Sequence, residues 1–163
     1  MPLSQPRLRQ RFNDCVVIVF CYITGEDESH AFCRFCPYLS GEAGVSRDAL
    51  TSCLKEAGYA LRDLDDEALK LFTGSDGSVD GAAFKEFWDR FQGEAVMFYT
   101  SDSRTIAHAV FVRSGGIVID PDSSSPEEGE FTDEYFKRVG GEIRIKSVSI
   151  VTRMSPQKVS QKG

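Results

Sequence analysis

Apolar side chains are spaced in two different ways along this chain, and the spacing changes near Gly93. Before Gly93 the period is that of a helix. The unbroken apolar stretch CVVIVFCYIT, Cys15 to Thr24, reads as a buried first helix and is far too short to cross a bilayer. In VSRDALTSCLKEAGYAL, Leu50, Leu54, Ala57 and Leu61 fall at helical spacing, and Ser46 stands where an N-cap belongs. DEALKLF continues the pattern, and DGAAFKEFWDRF sets Phe84, Phe87, Trp88 and Phe91 on one stripe that reads as core. After Gly93 the pattern is extended: EAVMFYT, HAVFVR, GIVID and IRIKSVSIVTRM read as strands. FTDEYFKRV, opened by Thr132, is the one helix among them. Helices first and antiparallel strands second predict an α+β domain of two lobes.

The boundaries follow from composition. Residues 1–9, MPLSQPRLR, carry two prolines and no periodicity and read as a loose arm. Residues 10–92 form a helical lobe, 93–153 a β lobe, and 154–163, MSPQKVSQKG, a flexible tail. A length of 163 residues with 41% hydrophobic and 27% charged content fits a single globular domain. The net charge of -6 argues against nucleic acid as the main partner, because phosphate binding needs a basic face. Arg7, Arg9 and Arg11 precede the first apolar run, yet no small-residue cleavage site follows it, so it does not read as a secretory leader. The five cysteines, Cys15, Cys21, Cys33, Cys36 and Cys53, are odd in number and crowded into the first third. That is not a disulfide framework; reduced thiols in a cytoplasmic, monomeric protein with no membrane partner are expected.

One of those thiols stands at a chemically useful place. QRFNDC runs straight into the first apolar helix, so Cys15 sits at a helix start, where the backbone dipole favours a thiolate. A thiol nucleophile needs a base, and the base needs a group to orient it. Of the two histidines, His30 lies in a polar helical start, whereas His108 heads one strand of a hairpin and Asp120 ends the other. If Arg113, Ser114 and Gly115 form a three-residue loop, Val112 pairs with Gly116 and His108 lies directly opposite Asp120. A loop of two or four residues would turn Asp120 to the other face. Gln10, five positions before Cys15, could join the Cys15 backbone N–H as an oxyanion donor. The acidic stretch PDSSSPEEGE reads as a loop beside the site that shapes substrate access.

Gln10, Cys15, His108 and Asp120, in this order, resemble the papain-like cysteine peptidase superfamily. The Gln-to-Cys gap and the later runs SRDALTSCLKEAGYAL and HAVFVRSGGIVID are similar to Josephin deubiquitinases, and HAVF followed by a turn and ID resembles viral leader proteases. The resemblance implies a two-lobe papain-like fold without a cofactor, in which a Cys15–His108–Asp120 triad, with Gln10 at the oxyanion, cleaves peptide or isopeptide amides of a protein substrate. Glutamine deamidation is the same chemistry on a side chain. The segment after the first helix is too short for the Josephin helical arm.

Two other patterns compete for attention. Residues 28–91 resemble a degenerate EF-hand pair, with Val45 lying 34 residues before Val79, which would make a non-enzymatic adaptor. The loop lacks an acidic first position, and Ala83 stands where the closing Glu belongs, so calcium binding is not expected. HAFCRFC offers His30, Cys33 and Cys36, and Cys21 or Cys53 would have to complete a zinc site. A helix with two half-buried thiols and no metal is the expected reading.

Overall fold

The computed structural model describes residues 15–38, 46–101, 104–121, 129–139 and 143–154. The expected arm, Gln10, Val45, the acidic stretch 122–128 and nearly all of the expected tail lie outside them. The helices are α1 (Cys15–Thr24), α2 (Glu28–Phe35), α3 (Arg47–Glu56), α4 (Asp66–Leu69), α5 (Gly81–Arg90) and α6 (Thr132–Val139). The strands are β1 (Tyr59–Asp63), β2 (Glu94–Ser101), β3 (Arg104–Arg113), β4 (Ile117–Ile119), β5 (Glu130–Phe131) and β6 (Arg144–Arg153). They make one antiparallel sheet in the order β1-β6-β2-β3-β4-β5. The class is α+β.

Both faces of the sheet are covered, which is why its central strands read as nearly continuous apolar runs. Successive residues of a strand point to opposite faces. Val96 and Phe98 of β2, Ala109 and Phe111 of β3 and Ile119 of β4 form one core with α1, α2 and α3. The intervening Ala95, Met97, Tyr99, Val110, Val112 and Val118 form a second core with Phe84 and Trp88 of α5 and Tyr135 and Phe136 of α6. Helix α1 is buried continuously from Cys15 to Cys21. A helix apolar on all sides has to be enclosed; α2, α3 and β3 enclose this one.

Local chemistry sets the helix ends. Ser46 caps α3 by accepting from the Ala49 N–H at 3.1 Å, and Asp80 caps α5 through the Ala83 N–H at 3.1 Å. The expected helix through Leu61 stops earlier, at Glu56. Gly58 follows at φ +94°, a left-handed conformation no helix interior accepts. Leu61 instead lies on β1 opposite Val151 of β6. A strand thus precedes Gly93, and the expected division at that residue does not separate helix from sheet. DEALKLF is likewise helical only to Leu69, with Phe72 turned into the second core.

The two segments that resemble EF-hands lie on different faces: α3 packs in the first core and α5 in the second. Thr73 and Val79 bridge each other, and Ser78 bridges Arg144 of β6.

Candidate active site

The β3–β4 hairpin decides where Asp120 points. Arg113 lies opposite Ile117 and Val112 opposite Val118, so the loop is Ser114, Gly115 and Gly116, one residue later than expected. Gly115 and Gly116 both have positive φ, +91° and +79°, and the Gly116 N–H closes the turn on the Arg113 carbonyl at 3.0 Å. Gly116 therefore cannot be the strand residue opposite Val112. The direct pairing of His108 with Asp120 is corrected by two positions: continuing the register sets Asp120 across from Val110, diagonal to His108. The loop still has three residues, so both side chains keep the same face. The diagonal suffices, because His108 Nε2 meets Asp120 Oδ1 at 2.6 Å, with both side chains buried.

Cys15 arrives from the other layer. It is the first described residue of α1 and belongs to the first core. The last ladder pair of β3 with β4 is Phe111 with Ile119. Two residues beyond it, the Ala109 N–H donates to Cys15 Sγ at 3.4 Å. The thiol thus lies against β3 where β4 has ended, beside His108. Burial alone would push the His108 pKa down. The hydrogen bond to Asp120, with the attraction of Asp120 and of the neighbouring Cys15 sulfur for positive charge, outweighs burial and raises it to about 9. Around neutral pH the imidazole is an imidazolium.

Asp120 has a second neighbour on α6. The Tyr135 hydroxyl donates to Asp120 Oδ2 at 2.7 Å, and the Tyr99 and Tyr135 hydroxyls meet at 2.8 Å. Burial first, and then the Asp120 charge, pushes the Tyr135 pKa up, so the phenol keeps its proton and remains a donor. Tyr99 lies opposite His108 in the β2–β3 ladder, its ring edge-on to the imidazole at 5.4 Å. Neither tyrosine was expected at the site. The face of Tyr99 follows from strand alternation, but its partner does not. Counting back from Ser101 opposite Arg104 would set Tyr99 against Ile106, and an irregularity between Tyr99 and Ser101 moves it to His108. Tyr135 gives no local signal beyond its place on the apolar side of a short helix.

The remaining candidates are placed as follows. Cys15, His108 and Asp120 are brought together; Gln10 lies outside the described residues. His30 is exposed and turned to Asp27, Nδ1 to Oδ2 at 3.1 Å. Cys33 and Cys36 are exposed free thiols, not half-buried ones, because α2 buries Ala31 and Phe35 instead. Cys21 and Cys53 are buried. Among the described residues no three His, Cys, Asp or Glu side chains are grouped so as to hold a metal ion, and no helix is long and apolar enough to cross a membrane.

Comparison with known proteins gives no match to any family model, curated protein or solved structure.

Proposed function

We propose that this chain is a papain-like cysteine hydrolase of two lobes that cleaves peptide or isopeptide amides in a protein substrate, of ubiquitin or polyprotein type. The observation that carries the reading is the continuous arrangement of Cys15, His108 and Asp120 around the free edge of β3, with the thiol at the first turn of α1. Asp120 engages Nε2, so Nδ1 is the nitrogen that exchanges a proton with sulfur. Cys15 Sγ, having given its proton to His108, attacks the amide carbonyl. The oxyanion is held by the Cys15 backbone N–H and Gln10. His108 returns the proton to the departing amine, leaving a thioester. Water, deprotonated by His108, then attacks the thioester and releases the acid and the thiol. A monomer in a reducing intracellular compartment fits five free thiols, three of them buried.

The same groups would release ammonia from a glutamine side chain, and the adaptor reading requires no chemistry at all. One panel separates the three: fluorogenic peptide amides, an isopeptide-linked ubiquitin substrate, and a glutamine peptide followed by ammonia release. The proposal expects amide cleavage that falls more than about a thousand-fold in Cys15→Ala, with an unchanged circular dichroism spectrum. Ammonia release alone selects the deamidase. Equal turnover by the variant, or none by the wild type on any substrate, overturns the proposal.

A further inference from the structure

A carboxylate can orient an imidazole only if it is itself held against rotation. Asp120 presents Oδ1 to His108 at 2.6 Å while Oδ2 accepts from Tyr135 at 2.7 Å, so its two oxygens are tied on different sides. Tyr135 has one hydroxyl proton and gives it to the carboxylate. In its 2.8 Å contact with Tyr99 it must therefore accept, and Tyr99 is the donor. The chain has one direction: Tyr99 to Tyr135 to Asp120. Each donor polarises the next, so the second bond strengthens the first.

Both phenols are held in place by other parts of the fold. Tyr99 is fixed by the ladder opposite His108 and packs its ring on the imidazole. The Tyr135 ring lies under the Arg138 guanidinium at 5.3 Å, and Arg138 is tied to Glu130 through Nη2 at 2.6 Å and Nε at 3.0 Å. Tyr99, Tyr135, His108 and Asp120 are all buried. Water therefore has little access to replace a missing donor, and a buried acceptor left unsatisfied is costly.

We propose that Tyr135, backed by Tyr99, is a positioning residue for the triad: the two hydroxyls lock the Asp120 carboxylate so that Oδ1 faces His108 Nε2. The role in catalysis rests on the thiol-hydrolase reading; the lock on the Asp120–His108 pair does not. Two readouts keep these apart. The first is the proton NMR resonance of His108 Nε2–H in the full chain, assigned by its loss in Asp120→Ala. In the wild type it should be sharp and far downfield, as expected for a short, buried, charge-assisted bond. Tyr135→Phe should move it upfield and broaden it by exchange with water, and Tyr99→Phe should do the same to a smaller extent. The second readout is the rate at which iodoacetamide alkylates Cys15, expected to fall roughly ten-fold in Tyr135→Phe, as for loss of a hydrogen bond to a charged group. If Tyr135→Phe does not fold, Tyr99→Phe decides by the same two measurements. A resonance and a rate both unchanged overturn the proposal. A shifted resonance with Cys15 no more reactive than Cys33 in the wild type leaves the lock standing and removes the hydrolase reading instead.

Discussion

The first face of the sheet is covered by α1, α2 and α3 with a core that includes Phe20, Phe35, Leu50 and Leu54. The buried polar side chain on that face, Ser149 opposite Val96, donates to Asp63 and accepts from Arg47. The second face is covered by α5 and α6 with an aromatic core, and the polar side chains His108 and Asp120 share it with Tyr99 and Tyr135. Cys15 belongs to the first layer. The proposed nucleophile and its proposed proton acceptor are thus packed by separate cores and meet where β3 runs past the end of β4. Each layer is therefore expected to control one half of the chemistry: the apolar layer places the sulfur, and the aromatic layer sets the protonation and direction of the imidazole.

Two strongly destabilising substitutions perturb the two layers separately. Phe20→Ala empties a fully buried site in the first core and should cost about 3–5 kcal/mol in chemical denaturation. Under folding conditions it should slow Cys15 alkylation yet leave the His108 NMR titration midpoint near 9. Asp120→Ala removes one partner of a buried charged pair and should cost a comparable 3–5 kcal/mol, roughly. It should also bring the His108 midpoint down, since burial then acts with less to oppose it. Asp120→Asn should be milder in turnover, because an amide oxygen can still face Nε2. Equal effects of Ala and Asn would mean that orientation is not the task of Asp120.

A smaller effect follows from protonation. The folded-state pKa of His108, about 9, lies above its ordinary 6.5, so the proton is bound more tightly in the folded chain. The stability this confers is fully present below about pH 6.5 and is lost as pH rises through about 9. The melting temperature should fall between pH 7 and 10 in the wild type, and by less in Asp120→Asn. The smallest effects belong to the turn. Gly116→Ala combines a φ of +79° with a Cβ only 3.1 Å from that of Trp88, whereas Gly115→Ala at +91° meets open space. Gly115→Ala should cost about 1–2 kcal/mol of strain, and Gly116→Ala more. The reverse order would contradict the turn that keeps Asp120 on the His108 face.

What was legible in the sequence follows the range of the interactions involved. Ser46 marks a helix start because capping acts over three residues, and Thr132 is the first residue of α6, as expected. The shared face of His108 and Asp120 was legible because it depends only on whether the loop is odd or even. Its register was not, since Gly115 and Gly116 are both capable of the left-handed backbone and only the fold chooses between loop positions. Strand β1 was hidden because Leu61 satisfies a helical period from Leu50 and also a strand pairing with Val151, which lies 90 residues away. Tyr135 escaped for the same reason: its hydroxyl acts across 15 residues of sequence on Asp120, with no local pattern to announce it.

If Cys15 is an activated nucleophile, the relative reactivities of the thiols in this chain will show it. Burial orders them clearly: Cys33 and Cys36 are exposed, while Cys15, Cys21 and Cys53 are buried. Access alone would make iodoacetamide label Cys33 and Cys36 first and Cys15 late. Timed labelling of the native protein at neutral pH, followed by peptide mass mapping, reads all five rates at once. An activated Cys15 inverts that order and labels fastest, and His108→Ala then drops Cys15 behind Cys33 and Cys36. Cys15 labelled as slowly as Cys21 and Cys53, with no response to His108→Ala, would contradict that activation.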